Sequence, residues 1–237
     1  MKVANEIQDG KMRQVVVECN YYARPEVSNS DLSKLQRMLR GEPAELTIGS
    51  GIRMGRIVDA LVTEPERANV YACTIDGEHV SEGEMRHGCW LVEQLHAAAK
   101  DDPFLALTLK SASTQVVSSN TAMDIDYCGF HFTLPTRCKW DWWFDAPHFG
   151  GDLKTTSAAT ESELDSAIDH FDWDRSRAWY MDIVGSDRDF IYAISTRTGK
   201  VMRRMIQRGD PMYERGREKY QYLAFMWWCL FSELKRS

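Results

Sequence analysis

The stretch from Gln115 to Thr155 constrains this chain more than any other. It is rich in Val, Tyr, Phe, Trp and Thr and is interrupted by Gly129, Pro135, Pro147 and the pair Gly150-Gly151. β-Branched and aromatic residues punctuated by turn formers build antiparallel meanders. The pattern predicts three strands: a broken one over about 115–132, then 135–144 and 150–155.

On either side the period is helical. Pro25 breaks regular structure, and the Ser28-Asn29-Ser30-Asp31 cluster supplies an N-cap for a helix running to about Arg40, closed by Gly41. Ile52, Ile57, Val58, Leu61 and Val62 recur at helical spacing until Pro65, which places Asp59 inside a helix. A longer helix is predicted over Glu82–Lys100, with Trp90, Leu91 and Leu95 inward, and a short one after Asp102-Pro103. After the meander come a helix from Asp172 to about Val184, strands near Phe190–Arg197 and Lys200–Gln207, and a final aromatic helix from Pro211. Val15–Val17 reads as a strand or packed arm. With no internal repeat or linker, the chain reads as one α/β (α+β) domain over 1–237. Its helical part covers about 20–110, and its sheet with flanking helices about 111–237.

A chain of 237 residues, 43% hydrophobic and 27% charged, can bury one sizeable core. The net charge of −6 argues against coating nucleic acid by general attraction, so any DNA contact must be local. Six scattered cysteines, with no CxxC pair, read as buried free thiols rather than a zinc or iron-sulfur site. No apolar run approaches the roughly 18 residues of a membrane span, and Met1–Val17 is too polar for a secretory signal, so a cytosolic protein without membrane contact is expected.

The chemistry concentrates in Arg137-Cys138-Lys139-Trp140-Asp141 and Gly150-Gly151-Asp152-Leu153-Lys154-Thr155-Thr156. Strand side chains alternate, so Asp152 and Lys154 point the same way, about 7 Å apart along the strand. If the preceding strand is the hairpin partner, Asp141 reaches the same place. Two carboxylates, with the Leu153 carbonyl, make a hard oxygen site suited to Mg²⁺ or Mn²⁺. A lysine beside such a cation suits phosphodiester hydrolysis. A D-x-K triplet alone is far more often a solvated surface ion pair; the apolar strand before it, the two glycines and the upstream Asp141 set this one apart.

At these residues the chain resembles the RecE-like branch of the PD-(D/E)xK nucleases, phage and prophage exonucleases of double-stranded DNA. Tyr21-Tyr22 through Ser28-Asn29-Ser30-Asp31-Leu32 is similar to the family's Y-x-x-x-x-x-(I/V)-S-x-S-x-L segment. Gly55–Glu66 is similar to its G-x-x-x-(H/D)-A-L-x-x-E-P-E helix, and the R-C-(R/K)-x-D and D-(L/V)-K-T-T strands follow in order. The likeness covers about residues 20–185. It implies a restriction-endonuclease-like core, a central mixed sheet flanked by helices.

By position, the resemblance puts Asp141 and Asp152 on the metal-binding acids, Lys154 on the catalytic lysine, and Asp59 where the family has a His or acid that helps hold metal. Tyr180 matches the tyrosine of the family's Q-x-A-x-Y helix, while Ser176 stands at its Gln, so either water replaces the amide or the alignment slips by one. Ser28, Ser30, Arg137, Lys139, Thr155 and Ser176 are candidate DNA contacts. Bland readings stand beside these: Ser28–Asp31 as a helix cap, Asp59 as a buried acid paired with Arg53 or Arg56, Tyr180 as a core aromatic.

The resemblance further implies Mg²⁺-dependent 5′–3′ digestion of linear duplex DNA in phage recombination and repair within a bacterial cell. Its implied partners are a single-strand annealing protein and further copies in a ring. Two alternatives remain: a repair or CRISPR-associated nuclease of the same fold, which the lack of a cysteine cluster disfavours, and an inactive member that binds DNA or protein.

Overall fold

The computed structural model describes residues 2–8, 11–17, 21–45 and 48–232. In chain order these form β1 (Lys2–Gln8), β2 (Lys11–Val17), α1 (Asn29–Leu39), α2 (Ser50–Thr63), β3 (Ala68–Asn69), β4 (Thr74–Ile75), β5 (Glu78–His79), α3 (Glu82–Ala98) and α4 (Pro103–Ser111). The meander β6 (Ser113–Tyr127), β7 (Phe130–Phe144) and β8 (Phe149–Thr156) follows, then α5 (Glu161–His170), α6 (Trp173–Val184), β9 (Arg188–Ser195), β10 (Val201–Gln207) and α7 (Pro211–Trp227).

A mixed sheet in the order β10-β9-β8-β7-β6-β1-β2 runs through the molecule, with helices on both faces, as expected for the fold class. The meander pairs antiparallel, whereas β9 returns parallel to β8 after the α5–α6 crossover, and β1 lies parallel to β6. Strands β3, β4 and β5 make a separate small sheet.

Burial on both faces explains the composition of β9. Ile191 and Ala193 pack with Trp140, Trp143, Trp179, Tyr220 and Leu223, on the side of α6 and α7. Phe190, Tyr192 and Ile194 pack with Met54, Val58, Leu91, Leu95, Leu105 and Trp142, on the side of α2, α3 and α4. A central strand covered on both sides reads as a continuous apolar run, and each large side chain so buried contributes roughly 1.5–3 kcal/mol.

Several boundaries differ from the sequence reading. The first long strand ends at Tyr127, because Cys128 and Gly129 turn with φ of 49° and 82°, so Phe130–Phe132 belong to β7. Pro135 lies within β7, opposite the Thr121-Ala122 irregularity where the register slips, and there its missing N–H breaks no ladder bond. Helix α5 and the small sheet were not foreseen; the strands of the small sheet, two residues each, are too short to show a period. The cysteine reading is corrected too: Cys138 is buried, but Cys73 and Cys89 are half-buried and Cys128 and Cys229 exposed, Cys128 because it sits in the hairpin turn. Cys19 lies outside the described residues. Among the described residues no helix is long and apolar enough to cross a membrane.

Candidate active site

Strands β7 and β8 hold together only from Phe144↔Phe149 to Trp142↔Gly151. The next opposed residues are Asp141 and Asp152, and there the ladder opens into a fork. Asp141 Oδ2 accepts the Leu153 N–H at 2.8 Å, doing the work of the missing ladder carbonyl. Strand alternation fails at the same residue: Trp140 and Trp143 pack on the α6–α7 side and Trp142 on the other. Gln115 stands opposite Asp141, between the pairs Val116↔Trp140 and Thr114↔Trp142, with φ of 55°. The double irregularity turns the Asp141 carboxylate into the fork.

The two glycines before Asp152 are steric requirements. A Cβ on Gly150 would lie 2.1 Å from the Trp140 ring, and one on Gly151 2.2 Å from the Phe190 ring. Asp152 emerges 4% exposed. Lys154 Nζ is 2.5 Å from its Oδ2, and Arg177 Nη2 3.6 Å from its Oδ1. The Arg177 guanidinium lies 4.1 Å from the Tyr180 ring centre.

Asp59, from α2, completes the acidic group at one remove. Its Oδ1 accepts from Thr63 Oγ1 at 2.9 Å and Gln115 Nε2 at 3.1 Å, and its Oδ2 is 3.9 Å from Arg67. It pairs with neither Arg53 nor Arg56, which bond to Glu84 and Glu78. Among the described residues no three His, Cys, Asp or Glu side chains are gathered tightly enough to hold a metal ion.

Electrostatics split the acids. Burial, then the charges of Asp152 and Asp59, raise Asp141 well above the usual carboxylate range. Burial opposes ionisation of Asp152 as well, but Arg177 and Lys154, with hydrogen bonds from Asp141 and Lys154, hold it below that range. Burial raises Asp59, against its bond from Thr63 and the cations Lys139, Arg67 and Lys154. The two close carboxylates thus pull apart, with the protonated form favoured on Asp141 and the ionised form on Asp152.

The donor set fits a divalent cation of the Mg²⁺ class. Two carboxylates and the Leu153 carbonyl are hard oxygens, and Asp152 Oδ2 is buried with no well-directed hydrogen bond. Loading would compete with the Lys154 contact and favour the ionised form of Asp141.

The remaining residues singled out in the sequence are placed as follows. Lys139 Nζ is 3.6 Å from Glu64, a buried acid that also binds Arg67 at 2.8 Å. Thr155 faces α2, where Gly55 leaves room for its hydroxyl. The Ser176 hydroxyl bonds back to the Trp173 carbonyl at 2.8 Å, inside its own helix. Tyr180 is half-buried and packs edge-on to Trp140. Arg137 is 3% exposed, its guanidinium held by the Arg24 carbonyl, Asp31 and the Tyr21 ring. Ser28 is the N-cap of α1 in a reciprocal capping box with Asp31, and Ser30 is exposed. The basic residues Arg203, Arg204, Arg208, Arg215, Arg217 and Lys219 are all tied in ion pairs.

Sequence reasoning missed Arg177, Asp189, Gln115 and Glu64. The available signal was an arginine one turn before Tyr180 in a helix packed on the core; Asp189, in a strand, carried none.

No protein-family model matches the chain, and no curated protein matches it in sequence. Among solved structures it is similar to a phage-related exonuclease from Haemophilus somnus 129PT, with 13% identity, TM-score 0.41, and 90% of this chain and 98% of that one covered. It is also similar to SSO0001, with 13% identity, TM-score 0.36, and 81% and 82% covered. Both likenesses are distant.

Proposed function

We propose that this chain is a divalent-cation-dependent deoxyribonuclease whose phosphodiester hydrolysis takes place at the β7–β8 fork. The observation that carries the reading is one buried carboxyl pair at the fork: Asp152, with Lys154 and Arg177 beside it favouring its ionised form, and Asp141, bonded to the Leu153 N–H, where burial and the neighbouring acids favour the protonated form. An ion pair serving only the fold has no need of a second acid pressed into the same fork at such cost.

Asp141, Asp152 and the Leu153 carbonyl would hold Mg²⁺ or Mn²⁺. The bound cation would supply an ionised water at neutral pH and neutralise charge building on the phosphate. Lys154, freed from Asp152, donates to the attacking water and keeps it oriented for in-line approach. Before a cation binds, Arg177, stacked on Tyr180, stands 3.6 Å behind the Asp152 carboxylate. Leu153 and Asp141 brace one another, so the two strands present their acids as one unit.

The substrate we propose is linear double-stranded DNA, digested from the 5′ end as an exonuclease in phage recombination or repair, in company with a single-strand annealing protein and as a ring of copies. Resemblance at the sequence motifs supports these finer points. Digestion of a linear duplex in Mg²⁺ tests the reading: Asp152→Ala and Lys154→Ala should each lose about 100-fold or more in rate. Equal digestion by all three proteins would discard it.

A further inference from the structure

Behind the fork lies a second buried acid. Asp189, fully buried at the start of β9, is fixed on both sides by its pairing with Gly150 of β8 and Ile206 of β10. Its Oδ2 lies 3.6 Å from Arg177 Nη1, while Arg177 Nη2 lies 3.6 Å from Asp152 Oδ1. Neither Asp189 oxygen, nor Arg177 Nη1, makes a hydrogen bond. One guanidinium thus stands midway between two carboxyls, closed on neither. Aromatic rings flank it: Tyr180 lies 4.1 Å and Trp140 5.7 Å from it, and Arg177 Nε donates to Ser176 Oγ at 3.3 Å.

A buried acid with unmade hydrogen bonds is costly, and a buried arginine is retained only where it is paired. A cation on Asp152 would repel Arg177 and take the carboxylate it now shares. Among the described residues, the other acid in ion-pair range of Arg177 is Asp189. We propose that Asp189 is a positioning residue for the candidate centre: it is the second berth of the Arg177 guanidinium, drawing it off Asp152 when a divalent cation takes that carboxylate. This rests on the reading of the fork as a divalent-cation centre.

Burial pushes the Asp189 carboxyl up to about 8, with Arg177 lowering it and the charge of Asp152 adding to the rise. A cation on Asp152 cancels that last contribution and frees Arg177 to pair, so both changes favour the new partnership. The exchange moves no covalent bond; one guanidinium changes neighbours by closing a 3.6 Å gap.

The test is calorimetric titration of Mn²⁺ into metal-free wild type, Asp189→Asn, and the double variant Arg177→Met with Asp189→Asn, each first shown folded by thermal unfolding. Asp189→Asn leaves Arg177 nowhere to retreat, so Mn²⁺ should bind about 10- to 100-fold more weakly, the usual effect of losing an outer partner of a metal ligand. The double variant removes the competing cation together with its counter-charge, and affinity should return toward the wild-type value. A purely structural role predicts the opposite order, with the double variant the worse. Asp189→Asn binding like wild type, or a double variant no better than Asp189→Asn, would overturn the proposal. If Asp189→Asn fails to fold, the double variant alone decides, and affinity about tenfold or more below wild type sinks the idea. Wild type that binds no Mn²⁺ at all, by contrast, removes the cation reading itself.

Discussion

Replacing Asp141 by asparagine separates its structural from its chemical role. In the metal-free protein burial and the neighbouring acids favour the protonated form of Asp141: one oxygen accepts the Leu153 N–H at 2.8 Å, and the protonated carboxyl can donate to Asp152. Asparagine reproduces both, with its carbonyl accepting and its amide donating, and carries no charge to repel Asp152. At pH 7 in a chelator, Asp141→Asn should therefore stay within about 1 kcal/mol of wild type, whereas Asp141→Ala orphans a backbone N–H and costs about 1–3 kcal/mol. For a chain of this size that is a fall of roughly 2–12 °C in Tm.

The pH dependence sharpens the test. The folded pKa of Asp141 lies above its unfolded value, so between the two the unfolded chain binds fewer protons. Stability from this group is full below the ordinary carboxylate range and is lost as pH rises toward the raised value, by at most about 1.4 kcal/mol per pH unit. Asp152, held low, contributes in the opposite sense, its stabilisation vanishing as pH falls below the ordinary range. Urea unfolding followed by tryptophan fluorescence from pH 4.5 to 8 should thus show wild type losing ground to Asp141→Asn as pH rises. Asparagine as damaging as alanine at neutral pH, or a wild-type-to-asparagine difference that ignores pH, would refute the protonated assignment. With Mn²⁺ added the order should invert, wild type gaining stability and Asp141→Asn little.

Other outcomes follow from the packing around the fork. Gly150→Ala and Gly151→Ala drive a methyl to 2.1 and 2.2 Å from the Trp140 and Phe190 rings, and each should cost at least about 1–3 kcal/mol in denaturant melts; wild-type stability in either would contradict the close approach. Gly55→Ala meets only the Thr155 hydroxyl at 3.5 Å and sits mid-helix, so it should be neutral or stabilising by up to about 1 kcal/mol in the same assay. Ser28→Ala removes one arm of the α1 capping box and should cost about 0.5–2 kcal/mol while leaving duplex digestion unchanged once the protein is folded; an activity loss without a stability loss would restore the serine to a DNA-contacting role.

How much was legible depends on the range of the interaction. The capping box at Ser28, the stop at Gly41, the helix carrying Asp59 and the alternation that puts Asp152 beside Lys154 are local, and the residues spell them out. Helix α5 was overlooked although Thr160-Glu161-Ser162-Glu163 carries the T-x-x-E cap pattern that starts it, and the strands of the small sheet are two residues each. Arg137 looked like a surface cation and is an internal tie, since its partners, Arg24, Asp31 and Tyr21, are more than a hundred residues away.

What the amino-acid sequence determined by itself was most of the long helices and strands, the alternation that pairs Asp152 with Lys154 and the presence of two acids and a lysine at the end of a hairpin, because these depend on neighbours within a turn or a strand. What only the tertiary structure decided was the electrostatic character of the fork. The upward push on the Asp141 carboxyl, the side of the sheet from which Arg177 enters, and the place of Asp189 behind it follow from burial and from parallel pairing across the α5–α6 crossover. Those quantities depend on distances between residues remote in the chain, and no local pattern of residue types encodes them.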